Sequence, residues 1–66
     1  MLIKYQLQET QDIYDKLDDN LYQYGVDEYI WWEDHNTRIV TDDPDVAKDV
    51  EKVLALMGLR YTKTEE

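Results

Sequence analysis

The chain contains no cysteine and no serine among its 66 residues. Without cysteine it has no disulfide framework, no thiolate metal site and no thiol redox chemistry, which fits a reducing cytoplasm. Without cysteine or serine, threonine would have to be the nucleophile of a covalent mechanism. The threonines of this chain lie at predicted helix caps and in predicted strands, where a structural role explains them. No apolar run approaches the roughly 18 residues of a membrane span, and the polar residues that follow Ile3 are untypical of a signal peptide. We therefore expect a cytoplasmic protein.

Other catalytic and metal-binding chemistry is also poorly represented. The single histidine, His35, falls in a turn-like segment, where an exposed turn residue is a better interpretation than a general base. Paired carboxylates need a pocket that separates their pKa values, and so short a chain offers little room for one. The acidic residues between 42 and 49 lack the alternating ligands, glycine and final glutamate of an EF-hand loop, and helix capping explains them instead. We predict no enzymatic activity, no metal site and no cofactor.

Positive charge is scarce. Sixteen acidic residues against seven basic ones give a net charge of −9, whereas a small domain needs a magnitude of only about 2–8 for solubility. High charge with few aromatic residues would indicate disorder. Two tryptophans and six tyrosines, with regular apolar spacing, favour a folded domain instead. Residues 1–66 make one domain, whose core is thin because such a chain buries only about 60% of its unfolded surface.

The first part of the chain predicts a strand and then a helix. Residues 2–7 alternate between apolar and polar side chains, which is typical of a half-buried strand. Thr10 can cap the following helix, and Gly25 suits the position just past its end. The apolar stripe of this helix consists of Ile13, Leu17, Leu21 and Tyr24.

Residues 26–41 predict a β-hairpin with a turn at residues 34–37. A loop of either two or four residues places Glu33 opposite Arg38, a favourable cross-strand pair. The two faces would carry Ile30, Trp32 and Ile39 on one side and Tyr29, Trp31 and Val40 on the other. Each face therefore has one tryptophan, and we expect the outward one, with Tyr29, to mark an aromatic interaction surface.

The last part of the chain predicts a second helix and a short strand. Asp43 can cap the helix, Pro44 fits its first position, and Asp45 favours the positive end of its dipole. Its buried stripe consists of Val46, Val50, Val53, Leu54 and Met57. Gly58 ends the helix, and residues 59–62 form the final strand.

The predicted order is β-α-β-β-α-β, an α+β fold. Two helices would cover one face of a four-stranded antiparallel sheet, as in ferredoxin-like domains. The opposite face would be open. It would show Lys4, Gln6, Arg60, Thr62 and one of the two tryptophans.

Negative charge is arranged in a row on the first predicted helix. Asp12, Asp15 and Asp19 recur at spacings of three and four, opposite the apolar stripe, and Lys16 is the only cation of that helix. Like charges at these spacings cost a helix roughly 0.2–0.5 kcal/mol per pair, so solubility alone does not require such a row. A solvated helix face of one sign is the alternative. The candidate partner-binding residues are Asp12, Asp15, Asp18, Asp19, Asp27, Glu28, Asp42, Asp43, Asp45 and Asp49.

Direct nucleic-acid binding is disfavoured although the element order suits it. An exposed aromatic sheet in a βαββαβ order is how RRM domains stack single-stranded RNA. Affinity for nucleic acid comes from lysine and arginine that neutralise phosphates. A chain at −9 repels RNA, and it contains no RNP-like string.

The acidic row favours imitation of a nucleic acid instead. Carboxylates three or four residues apart on a helix are about 4.5–6 Å apart along its axis, and phosphates of one DNA strand recur every ~3.4 Å of duplex axis. In small size, absence of cysteine, a pI near 4.3 and aromatics among carboxylates, the chain resembles the small acidic bacteriophage proteins that mimic DNA. Those proteins inhibit host DNA-binding proteins such as uracil-DNA glycosylase, restriction enzymes, Cas nucleases and the histone-like protein HU. The resemblance implies a basic DNA-binding partner from the host and identifies no individual residue.

Two hypotheses of function follow. In the first, the acidic surface binds and inhibits a basic host protein as a DNA mimic. In the second, a small accessory or assembly protein binds its partner through the aromatic sheet face, and the charge serves only solubility. Either is compatible with a homodimer at micromolar concentration, which the outward tryptophan and the thin core favour.

Overall fold

The chain folds in the order β-α-β-β-α-β, as predicted, in a computed structural model that describes residues 1–8 and 13–66. A 3-10 turn, Asp27–Tyr29, precedes the second strand. The remaining elements are β1 (Ile3–Leu7), α1 (Tyr14–Gln23), β2 (Trp31–Glu33), β3 (Arg38–Thr41), α2 (Pro44–Leu56) and β4 (Tyr61–Glu65). Neither helix of the described residues has the length and apolar character needed to cross a membrane.

The four strands form one antiparallel sheet in the order β2-β3-β1-β4. This confirms the α+β class and the predicted four-stranded antiparallel sheet. Strand β1 alternates as its sequence predicts, because Ile3, Tyr5 and Leu7 are buried while Lys4 and Gln6 are only partly covered.

The core fills the space between the buried sheet face and the two helices. Helix α1 contributes Leu17 and Leu21, both fully buried. Helix α2 contributes the predicted stripe, Val46, Val50, Val53 and Leu54, with Met57 partly buried against it. The helices therefore cover one face, and the other sheet face stays without a helix.

Helix α1 is shorter than its apolar stripe predicts. Its N-cap, Ile13, provides no side-chain hydrogen bond, and the predicted cap, Thr10, lies outside the described residues. At the other end the prediction of Tyr24 as a buried residue is wrong, because the helix ends at Gln23 and Tyr24 is 43% exposed. Gly25 takes a φ of +72° just past that end, as predicted.

The hairpin has the predicted register but a later start. The predicted β-rich segment from Tyr29 is wrong at its beginning, because Tyr29 ends the 3-10 turn and β2 starts at Trp31. The four-residue turn is confirmed: Asp34, His35 and Asn36 have φ values of 51°, 59° and 68°. These residue types tolerate the left-handed region better than most.

The start of α2 follows its sequence signals. The Asp43 carboxylate accepts a hydrogen bond from the Asp45 backbone N–H at 2.9 Å, and Pro44 occupies the first turn. Gly58, with a φ of +69°, ends the helix. The predicted final strand at residues 59–62 is wrong in its bounds, since β4 runs from Tyr61 to Glu65 and pairs with β1 along that whole length.

Removal of the Asp43 cap should measurably destabilise the domain. We expect Asp43→Ala to lower the free energy of unfolding by about 1 kcal/mol, because the Asp45 N–H loses its acceptor. For a domain of this size that corresponds to a fall of about 4–8 °C in the melting temperature. Asp43→Asn keeps an acceptor and should melt close to the parent protein; equal losses in both variants would show that the cap is not responsible.

Candidate functional site

Cations and carboxylates are paired in one part of the molecule and not in another. Arg38 contacts Glu33 at 3.6 Å and Asp34 at 3.0 Å, which confirms the predicted cross-strand pair. The other ion pairs are Lys4–Glu66, Lys52–Asp49, Lys63–Glu51 and Lys63–Glu65. All of them lie on the sheet, in its hairpin turn or on α2. Within residues 1–8 and 13–66, eight carboxylates form no ion pair: Asp15, Asp18, Asp19, Asp27, Glu28, Asp42, Asp43 and Asp45.

The first group of these carboxylates, the α1 row, consists of Asp15, Asp18 and Asp19. Asp15 and Asp19 are exposed and Asp18 is half-buried, while Leu17 and Leu21 turn toward the core. No basic residue occupies the last turn of α1, where a cation would favour the helix dipole. Asp15 lies in the first turn, where a carboxylate favours the helix dipole, but its spacing of three and four residues to Asp18 and Asp19 opposes helix formation. Asp12, which the sequence also placed in this row, lies outside the described residues.

The second group, the acidic end, consists of Asp27, Glu28, Asp42, Asp43 and Asp45. Thr41 joins its two halves: the buried hydroxyl donates to the Tyr29 carbonyl at 2.8 Å and accepts from the Asp43 N–H at 3.3 Å. The 3-10 turn is thereby bonded to the start of α2, although the two are separated in the sequence. Asp49 is not part of this group, because it lies a turn further along α2 and contacts Lys52 at 3.9 Å.

The α1 row and the acidic end belong to neighbouring elements. Helix α1 contacts both the 3-10 turn and α2, so the elements that carry the two groups pack against one another. Asp43 differs from its neighbours because its carboxylate already accepts the capping bond.

The two tryptophans lie on opposite faces of the sheet, as predicted. Trp32 is paired with Ile39 on the helix side and packs edge-on against Tyr14, with ring centroids 4.9 Å apart. Trp31 is paired with Val40 on the other side and is 41% exposed. Trp31 is therefore the outward tryptophan, and Tyr29, the last residue of the 3-10 turn, is 56% exposed.

The sheet face away from the helices, called the open face below, includes Lys4, Gln6, Trp31, Arg38, Val40 and Thr62. Its backbone pairing aligns Lys4 with Val40 and Gln6 with Arg38 on one side, and Gln6 with Thr62 on the other. Val40 is fully buried even though no helix covers it, since it lies between Trp31 and Lys4. The pattern of the sequence had pointed to Lys4, Gln6, Arg60 and Thr62 on this face but had not marked Arg38.

A polar network on the helix side, with Tyr5 buried and Lys63 exposed, has no counterpart in the sequence predictions. The Tyr5 hydroxyl donates to the Glu51 carboxylate at 2.7 Å, with the Ala47 carbonyl at 3.2 Å, and Lys63 donates to Glu51 at 3.0 Å. Burial, and then the Glu51 carboxylate, raise the pKa of Tyr5. The bond from Tyr5, reinforced by Lys63, holds the pKa of Glu51 below its usual range. This network joins β1, α2 and β4, and every group in it has a partner, so its role is structural.

The Glu51 network should make stability depend on pH. A carboxylate whose pKa is lowered by folding stabilises the folded state above its unfolded pKa, near 4.3, and that stabilisation is lost as pH falls through the folded value. We expect Glu51→Gln to destabilise the protein at pH 7, and the difference from the parent protein to shrink below about pH 4. Urea unfolding at a series of pH values measures it; parallel stability curves from pH 7 to 2.5 would contradict it. Tyr5→Phe, which removes the main cause of the lowered pKa, should weaken the same acid dependence.

The described residues contain no pocket and no group of three histidine or acidic side chains placed to hold a metal ion. His35 lies in the hairpin turn with a φ of 59°.

Comparison with known proteins gives no match to a protein-family model, to a curated protein or to a solved structure.

Proposed function

We propose that this protein binds a basic nucleic-acid-binding protein of the host through its acidic surface, as a DNA mimic, and inhibits it. The histone-like protein HU is an example of such a partner. The observation that carries the proposal is the segregation of charge. The carboxylates of the α1 row and all five at the acidic end have no cation partner among the described residues, while the ion pairs lie on the sheet, its hairpin turn and α2.

Spacing supports imitation of a phosphate backbone. On α1, Asp15 and Asp19 are one helical turn apart and exposed, which corresponds to about 6 Å along the axis. That spacing is of the same order as the ~3.4 Å axial repeat of phosphates on one DNA strand. A rigid helix presents these charges in a fixed arrangement, so a groove that grips phosphates can grip the carboxylates without first ordering them.

The cost of the α1 row to helix stability also supports a partner outside the fold. Asp15 lies three residues from Asp18 and four from Asp19, and each such like-charge pair opposes the helix by roughly 0.2–0.5 kcal/mol. In a domain this small, with only about 3–5 kcal/mol available from its core, that cost is a substantial fraction. Residues that oppose the fold and have no partner within it are good candidates for a partner outside it.

A second candidate function is supported by Trp31. An aromatic side chain that is 41% exposed beside a fully buried valine is typical of an interaction surface, and the chain could be an assembly protein that docks through its open face. In that case the acidic surface contributes only solubility.

Salt dependence separates the two functions. Affinity that comes from carboxylates meeting lysines and arginines falls steeply with ionic strength, whereas an aromatic interface changes little. We expect capture of basic DNA-binding proteins from a bacterial lysate at about 50 mM salt and their loss at about 500 mM. Titration of purified HU by calorimetry should show at least a ten-fold fall in affinity over that range. Binding of equal strength at both salt concentrations, lost in Trp31→Ala, would favour the aromatic interface.

A further inference from the structure

The open face has a different charge from the rest of the molecule. It carries three cations, Lys4, Arg38 and Arg60, and three carboxylates, Glu33, Asp34 and Glu66. Glu66 belongs to it because its backbone is bonded to Leu2 in both directions and its carboxylate contacts Lys4 at 3.4 Å. Three positive and three negative charges leave the face neutral. Because the whole chain carries −9, the remaining surface carries all of that −9.

The charges of the open face are largely satisfied within it. Arg38 donates to the Gln6 side chain at 3.0 Å and contacts the carboxylates of Glu33 and Asp34. Lys4 is paired with Glu66. Covering this face would therefore bury paired groups rather than isolated charges, which is the less costly case. At its β2 edge, Trp31 provides apolar contact area.

We propose that the open face is the interface of a homodimer, in which two copies of this chain stack sheet against sheet. Two chains that each carry −9 repel one another in most orientations. Stacking of the open faces is the orientation that puts near-neutral surfaces in contact and turns both α1 rows outward. The smallest dimension of one molecule is 18 Å, so the outer acidic surfaces of two stacked copies are separated by well over the ~8 Å Debye length at physiological salt.

A second copy suits this face better than a nucleic-acid strand does. A strand would bring one negative charge per phosphate toward a chain of −9, and two of the three cations of the face already have carboxylate partners. The copy brings no excess charge into the contact. The inference does not rest on the proposed function, since it concerns the purified chain alone.

The interface is small, and that sets the concentration range for its detection. The molecule measures 29 × 22 × 18 Å, so two faces can bury only on the order of 1,000 Å² in total, at the low end for specific assemblies. We therefore expect dissociation constants between micromolar and about 100 µM.

Sedimentation equilibrium of the full chain from 5 to 500 µM tests the dimer. Thr62→Glu places a negative charge on the open face of each copy and should weaken dimerisation at least five-fold. Gln23→Glu adds the same charge at the exposed end of α1 and should change it less than two-fold. Trp31→Ala should also weaken the dimer, with Tyr22→Ala, which removes an aromatic that is 67% exposed on α1, as its control. Circular dichroism of each variant establishes that it is folded.

The salt dependence of dimerisation is an independent measurement. Its expected direction is opposite to that of partner binding. Because screening reduces the repulsion between two chains of like charge, dimerisation should strengthen between about 50 and 300 mM salt. A monomeric mass at 500 µM and 300 mM salt would overturn the proposal. So would a dimer that Gln23→Glu weakens and Thr62→Glu does not. A monomer whose Trp31 fluorescence is quenched by single-stranded oligonucleotide, with the quenching lost in Thr62→Glu, would assign the face to nucleic acid instead.

Discussion

Replacement of Asp15, Asp18 and Asp19 by asparagine should lower affinity for the basic partner by an order of magnitude or more. Each carboxylate contributes to a shared field at the contact, so loss of three together has a large effect. The same substitutions remove two like-charge contacts at helical spacing, and the melting temperature should hold steady or rise. Calorimetric titration of HU and thermal unfolding measure the two effects on the same samples.

The control must carry the same change in net charge at another place. Glu33→Gln, Asp34→Asn and Glu66→Gln also remove three negative charges, which takes the chain from −9 to −6. These three carboxylates are paired with Arg38 and Lys4 on the sheet. We expect this control to keep most of the affinity. Equal losses in the two variants would mean that net charge, and not the α1 row, governs binding.

Truncation of Leu21 should have the largest effect on stability. Leu21 is fully buried on α1, and Leu→Ala at such positions costs about 2–5 kcal/mol. The whole domain has only about 3–5 kcal/mol from its core, so Leu21→Ala should be largely unfolded at 37 °C. Leu56→Ala makes the same chemical change at a position that is 69% exposed, and it should shift the urea midpoint very little. Comparable midpoints for the two variants would contradict the assignment of the α1 core face.

The ends of α2, which only a few residue types can form, were predicted correctly from the sequence. Asp43 and Pro44 begin α2 and Gly58 ends it, because capping, a fixed φ and a left-handed φ are each satisfied by few residue types. The pair of Glu33 and Arg38 also followed from turn length alone. These features depend on residues that are close together in the chain, so they can be recognised from the sequence alone.

Features that depend on distant partners were predicted less well. Strand β4 is mostly exposed and polar, and it is a strand because its backbone pairs with β1, so no apolar alternation marks it. Tyr24 fits the apolar stripe of α1 but lies past the last turn, and its exposure depends on where the helix ends. The network of Tyr5 and Glu51 joins residues 46 positions apart. Nothing near either residue indicates the other.

The candidate site likewise has a part that the sequence predicted and a part that it did not. Sequence spacing alone placed Asp15 and Asp19 on one side of a helix. That Thr41 bonds the 3-10 turn to the start of α2, and so assembles the acidic end, required the structure. The separation of paired from unpaired carboxylates likewise became visible only in three dimensions, because pairing depends on which cations the fold brings near.

Displacement of DNA tests the central claim most directly. Labelled duplex DNA bound to HU at about 100 mM salt gives a high fluorescence anisotropy, and the parent protein is added to it in increasing amounts. A mimic that occupies the DNA-binding surface should lower the anisotropy to that of free DNA, and the Asp15, Asp18 and Asp19 asparagine variant should need at least ten times the concentration. Complexes that hold DNA and this protein together, or displacement of equal strength by the variant, would contradict DNA mimicry by the α1 row.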